Sequence, residues 1–161
     1  MKIQILDRTK KKKFILGLEE FGLKKIHELL IRSGKEKIRA YSGNLSNNEI
    51  MDLWRILPIE GIGLYVGKDF LNRNGVREIR LSLDGLHIWK NRIIQKNFVL
   101  NEKQELEWFS GKNLELKEIS KLKGFIAVKS SDGRDFIGIG KIGNGGKILL
   151  NFLPKERCRK N

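Results

Sequence analysis

The segment GFIAVKSSDGRDFIGIGKI, Gly124–Ile142, followed by GGKILLNFLP, Gly145–Pro154, reads as three short strands. Phe125–Lys129 and Phe136–Lys141 are the first two. Ser131-Asp132-Gly133 turns between them, because glycine accepts a positive φ and aspartate tolerates one. Gly143-Asn144-Gly145-Gly146 reverses the chain again. Lys147–Leu153 is the third strand, stopped by Pro154, which has no backbone donor. Gly138 and Gly140 stand two residues apart in the middle strand and share a face. Glycine weakens a strand, so the pair predicts a sharp bend or the close approach of another backbone. The picture is a glycine-kinked hairpin closing a small barrel.

Upstream of this segment the chain changes character. Phe14, Ile15, Leu18 and Phe21 have the spacing of one helical face, ended by Gly22, and the run Lys10–Lys13 before them reads as a solvated helix start. Leu23, Ile26, Leu29 and Leu30 predict a second helix stopped near Ser33-Gly34. Lys37–Tyr41 is a strand. Ser46-Asn47-Asn48-Glu49 is a capping box that opens a helix carrying Ile50, Leu53, Trp54 and Leu57, with Pro58 at its end. Gly61–Gly67 is read as a strand, Asn72-Arg73-Asn74-Gly75 as a turn, and Arg77–Leu83 as a strand. Ser82 or Asp84 caps a short helix anchored by Leu86, Ile88 and Trp89, with Asn91 ending it in a left-handed conformation. Phe98–Leu100, Leu106–Phe109 and Asn113–Leu116 are read as further β segments, so that Trp108 and Phe109 point to opposite faces. The expected fold class is α+β: a small N-terminal α/β domain over residues 1–72 and a mainly β domain over residues 73–161.

The chain of 161 residues carries 33 Lys and Arg against 19 Asp and Glu, a net charge of +14. Such an excess points to a polyanionic partner. No apolar run approaches the ~18 residues that cross a bilayer, and the charged start does not resemble a signal peptide. Cys158 is alone, so neither a disulfide framework nor a cysteine metal site is expected, and a cytoplasmic setting follows. His27 has no second ligand near it in sequence, and no metal site is expected. Asp132 and Asp135 flank a turn and are read as turn formers.

A family resemblance rests on particular segments. Arg80-Leu81-Ser82-Leu83-Asp84-Gly85-Leu86, followed by a short helix, a basic loop and a strand, and ending in Phe136-Ile137-Gly138-Ile139-Gly140-Lys141, resembles a PUA domain, a small β pseudobarrel of RNA-modifying enzymes and ribosome-assembly factors. Glu107–Leu114, Gly138–Ile142 and Asn151–Arg157 are similar to segments of the PUA domain of Sun-type RNA cytosine-5 methyltransferases and of small stand-alone archaeal relatives. The resemblance covers Arg77 to Arg157 well. Glu19–Gly22 and Gly63-Leu64 resemble the small domain that precedes PUA in that family. Asn91 and Asn97 depart from it, standing where PUA domains often carry glycine; both residue types tolerate the same backbone region.

The resemblance implies a C-terminal PUA-like pseudobarrel with RNA lying against the short helix, the second strand and the last strand. Charge supports this separately. Gly85–Asn101 and Phe136–Lys155 contain no acid, whereas Glu102–Glu118 contains five. The candidate RNA-binding residues are therefore Lys90, Arg92, Lys96, Lys141, Lys147, Lys155 and Arg157, with Arg159 and Lys160 adding nonspecific attraction. Trp89 is a candidate for base stacking or for the core. No catalytic residue and no cofactor is expected. Sun-type methyltransferases need a Rossmann-like domain and cysteine nucleophiles, for which this chain has neither room nor residues. The expected function is non-catalytic binding of structured RNA (rRNA or tRNA), as an accessory to an RNA-modifying enzyme or a pre-ribosomal particle. The rival is a protein-interaction subunit whose basic surface meets an acidic partner.

Overall fold

A computed structural model describes residues 2–57, 59 and 61–159. The chain divides into two compact units. One runs from the N-terminus to Glu19 and from Leu23 to Gly85; the other comprises Glu20–Gly22 and the chain from Leu86 onward. The expected boundary near Asn72 is therefore corrected. Asn72 lies in a tight turn between two paired strands of the first unit, and a hairpin cannot be divided without breaking its ladder. Its Oδ1 accepts from the backbone N–H of Asn74 (2.9 Å) and Val76 (3.0 Å), and Gly75 supplies the positive φ of 74°.

The first unit is an antiparallel meander, β1 (Ile3–Ile5), β2 (Leu29–Ser33), β3 (Lys37–Tyr41), β4 (Leu64–Leu71) and β5 (Arg77–Leu81), paired in that order. Two helices accompany it, α1 (Arg8–Leu16) and α2 (Asn47–Ile56). The expected capping box forms: Glu49 N–H donates to Ser46 Oγ (3.3 Å) and Ser46 N–H to Glu49 Oε2 (2.7 Å). Ile50 then packs with Ile3, Ile31 and Ile62 on one face of the sheet. The expected helix end at Pro58 lies outside the described residues. The strand read over Gly61–Gly67 is shifted, beginning at Leu64 and running on to Leu71.

The helix expected over Leu23–Ser33 is not formed. Residues 29–33 are a strand in which Leu30, Ile31 and Ser33 are all buried. A strand covered on both faces shows no period of two, and its apolar run imitates a helix. Gly34, expected to stop the helix, instead has φ 65° in the β2–β3 turn.

Asp69 on β4 ties this unit together. It is 5% exposed. Arg77 donates through Nε to its Oδ1 (2.6 Å) and through Nη2 to Oδ2 (2.8 Å), and Arg32 donates through Nη2 to Oδ2 (2.5 Å). Burial pushes the Asp69 carboxyl up, but the hydrogen bonds from Arg77 and then Arg32, with their charges, outweigh it and hold it below the usual carboxylate value.

The second unit begins in the short helix α3 (Leu83–Ile88), within which the two units divide. Ser82 caps it, accepting from Gly85 N–H (3.0 Å) while donating to Tyr65 O (2.7 Å). Then follow β6 (Asn97–Val99), α4 (Glu102–Phe109), β7 (Leu114–Glu115), β8 (Phe125–Lys129), β9 (Phe136–Gly143) and β10 (Ile148–Asn151). The sheet order is β6-β8-β9-β10-β7, with β6 parallel to β8 and the other pairs antiparallel. The three strands read from Phe125 to Leu153 are thus present in their expected hairpins. The α+β class and the pseudobarrel form of the C-terminal part are as expected.

Leu106–Phe109 is helix, not strand. Asn101 and Gln104 form a reciprocal capping box (2.9 and 3.0 Å), and Asn as first member conceals the more familiar Ser/Thr pattern. Asn91 does not take the left-handed conformation; it sits in a 3-10 turn over Lys90–Arg92, and Lys96 has φ 53° instead.

The helical course of α4 delivers Trp108 into the core with Leu100, Leu114, Ile126, Val128 and Leu149. The strand glycines make room for these groups. A Cβ on Gly138 would lie 3.0 Å from Trp108 Cζ2, and one on Gly140 would lie 2.5 Å from Leu149 Cδ1 and 3.1 Å from Leu150 O.

Gly138→Val should therefore destabilise the protein by about 1–3 kcal/mol through overpacking against the indole, measured as a fall in the urea midpoint without a change in slope. Because the Asp69 pKa is depressed by folding, its contribution is present above the ordinary carboxylate pKa and lost as pH falls through the folded value. Asp69→Asn should cost roughly 2–4 kcal/mol at neutral pH and flatten the stability loss of the parent below pH ~4, measured by denaturation across pH 2.5–7.

Candidate nucleic-acid interface

The seven cations singled out in the sequence are dispersed over the second unit. Lys90 Nζ is bonded to Asp135 Oδ1 (2.6 Å). Asp135 immediately precedes β9, whereas Lys147 follows the turn at the other end of that strand. Eight residues at ~3.3 Å each put about 25 Å of strand between those ends. Lys96 faces inward. Its side chain is 11% exposed, its ammonium pairs with Glu20 and lies 5.3 Å from the Phe21 ring centroid. Arg92 is half-buried and ends the 3-10 turn. Lys155 and Arg157 are exposed on a single 3-10 turn near the C-terminal end of α4. There Arg159 N–H donates to Phe109 O (2.7 Å) and its guanidinium stacks 5.1 Å from the Phe109 centroid. Lys160 lies outside the described residues.

Lys141 and Lys147 both lie toward the β9–β10 turn, Lys141 opposite Leu150 and Lys147 just before Ile148. Lys141 stands on the central strand, opposite Phe125 on its other side, with its ammonium 4.8 Å from the Phe125 centroid. Lys147 is exposed just beyond the β9–β10 turn. That turn places Asn144 (φ 47°), Gly145 (63°) and Gly146 (94°) consecutively in the left-handed region, as its composition predicts.

The segment between β7 and β8 runs along this same turn. Leu116 N–H donates to Lys147 O (2.8 Å), Ser120 N–H to Gly146 O (2.9 Å) and Ile142 N–H to Gly124 O (3.0 Å). These bonds carry Lys117, Lys121 and Lys123, all exposed, to the end of the sheet that holds Lys141 and Lys147. None of the three is among the candidates that the acid-free segments point to. Lys117 lies in an acid-rich run, and Lys121 and Lys123 belong to neither acid-free segment. A signal was nonetheless present in Lys121-Leu122-Lys123-Gly124, an alternating basic approach to a strand.

Trp89 is fully buried and belongs to the core, so it offers no stacking surface. His87 Nε2 donates to Phe136 O (2.8 Å), which fixes the ring against the start of β9. Among the described residues no group of three His, Cys, Asp or Glu side chains could hold a metal, and no helix is long and apolar enough to cross a membrane.

Asn151 is a structural residue that the sequence did not single out. Its Nδ2 donates to Trp108 O (2.8 Å) and Lys112 O (3.1 Å), and its Oδ1 accepts from Leu153 N–H (2.8 Å). It thereby satisfies carbonyls at the end of α4 and fixes the departure of the chain from β10.

The chain matches no protein-family model and no curated protein. It is similar in structure to a conserved PUA domain protein from Thermoplasma acidophilum, with a TM-score of 0.56 and 14% sequence identity over 97% of each chain. The chain therefore shares the fold of that protein over essentially its whole length, with the PUA-like pseudobarrel in the C-terminal unit.

Because Lys96 is held internally, Lys96→Met should lower stability by about 1 kcal/mol, whereas Lys147→Met, at an exposed site, should leave it unchanged. Paired urea titrations of the two variants check this contrast.

Proposed function

We propose that the protein is a non-catalytic RNA-binding protein. Its C-terminal unit holds structured RNA, rRNA or tRNA, on the lysine-rich end of the second sheet. One observation carries the reading: the backbone bonds that bring Lys117, Lys121 and Lys123 alongside Lys141 and Lys147. Five ammonium groups toward one end of the sheet, against the carboxylates Glu115 and Glu118, form a net positive field suited to phosphates spaced along a folded strand, and each contact formed releases condensed counterions. The surface has no deep groove-reading element, so recognition is of shape, loop or end. The PUA-like fold adds to this reading, and so does the resemblance of Glu107–Leu114 and Gly138–Ile142 to the PUA segment of Sun-type methyltransferases. The role that follows is that of an accessory which presents RNA to a separate modifying enzyme or to an assembling ribosomal particle. Of the seven cations singled out in the sequence, Lys141 and Lys147 belong to this interface, Lys155, Arg157 and Arg92 add to the positive charge of the unit elsewhere, and Lys90 and Lys96 act through their ion pairs.

The test compares Lys121→Glu/Lys147→Glu with the parent and with Lys96→Met, using tRNA and rRNA fragments over a range of salt. The double variant should bind about tenfold more weakly and lower the slope of log K against log salt by about 1–2, while Lys96→Met changes neither. Salt-dependent binding to acidic proteins with none to RNA would overturn the reading. Crosslinking to total RNA and sequencing the bound fragments identifies the RNA.

A further inference from the structure

The first unit contains a groove of about 660 Å³ that the C-terminal interface does not use. It is lined by five cations, Lys10, Lys13, Arg32, Lys35 and Arg77, against the carboxylates Glu36 and Asp69, with Phe70 and Leu71 as apolar wall. Two of these charges are already matched: Lys10 pairs with Asp7 (3.1 Å) and Glu36 with Lys68 (3.4 Å). Lys13 and Lys35 are exposed and their ammonium groups make no ion pair among the described residues.

At the centre, one carboxylate faces two guanidiniums. Asp69 Oδ2 accepts from both Arg32 and Arg77, so the two cations are held side by side with a single negative charge between them. Backbone carbonyls fix them further: Arg32 Nη1 donates to Lys35 O (2.8 Å) and Arg77 Nη1 to Lys13 O (3.2 Å). The bonds leave N–H groups unused on both forks, whose side chains are 24% and 38% exposed. An ion triad that is structural alone has no need of more positive charge, yet the same carbonyl contacts bring the Lys13 and Lys35 segments to its rim. Like charges so placed repel, and an anion seated among them removes that repulsion while meeting donors already oriented for oxygen. Leu71 is 68% exposed on the same wall. A lone inorganic anion has no use for such a wall, whereas the sugar and base attached to a phosphate cover it.

We infer that this groove of the N-terminal unit is a second phosphate-binding site for RNA, taking a backbone phosphate on Arg32 and Arg77 with Lys13 and Lys35 at the rim and the adjoining nucleoside against Leu71. The inference rests on the reading of the protein as an RNA binder and extends it to a unit that the sequence had assigned no role.

The test uses the full chain with Lys13→Glu/Lys35→Glu, which leaves the Asp69 network in place because only the backbone carbonyls of Lys13 and Lys35 take part in it. With tRNA as probe, the groove variant should bind about tenfold more weakly and lower the salt slope by about 1–2. In parallel, amide and guanidinium NMR signals of Arg32 and Arg77 should shift when pyrophosphate is added to the parent and not to the variant. An unchanged salt slope in the groove variant, with a lowered one in Lys121→Glu/Lys147→Glu, overturns the groove and leaves the C-terminal interface standing. The reverse pattern supports the groove and overturns the C-terminal interface. Binding to vesicles of anionic lipid with none to tRNA overturns both.

Discussion

Trp108 enters the C-terminal core because Gly138 has no side chain. The indole fills a space where a Cβ would stand 3.0 Å from its ring. From this contact the other features of the unit follow. Helix α4 must be helical to direct Trp108 inward, and Asn151 must grip the carbonyls of Trp108 and Lys112 to hold the end of that helix against β10. The segment that leaves α4 then passes along the β9–β10 turn, where it delivers its lysines. A glycine in the middle of a strand thus determines, through one aromatic ring, the course of the segment that carries Lys117, Lys121 and Lys123.

The hairpins were legible because turn chemistry is local. Asn72–Gly75, Ser131–Gly133 and Gly143–Gly146 carry residues whose φ requirements are visible without any tertiary context. The capping box at Ser46 was legible for the same reason. The strand β2 was not, since Leu29, Leu30 and Ile31 are apolar on both faces and lose the alternation that marks a strand. Helix α4 was missed because its capping residues are Asn101 and Gln104, and because aromatic neighbours suggested β structure. Trp89 looked ambiguous, and only packing decides that a tryptophan followed by Lys90 and Arg92 is fully enclosed.

The charge of the chain was legible in amount and misleading in position. Acid-free stretches selected Lys90 and Lys96, yet both are joined to acids from outside those stretches, Asp135 and Glu20. Linear scarcity of acid says nothing about acids brought near by folding. Conversely Lys117 sits between Leu116 and Glu118 and is nevertheless carried to a basic edge by a single hydrogen bond at Leu116. In the first unit, Asp69 organises two arginines from strands 45 residues apart in the chain, an arrangement no local pattern signals.

The assignment of Glu20–Gly22 to the second unit has a consequence for modularity. Phe21 is fully buried, its carbonyl accepts from the N–H groups of Ile94 (3.0 Å) and Gln95 (3.1 Å), and Glu20 is the counter-ion of Lys96. The C-terminal fold therefore borrows three residues that the ribosome makes more than sixty positions before the rest of it. No single cut in the chain, and no single gene fusion point, separates the two units intact. The pair must be inherited, and transplanted, as one piece.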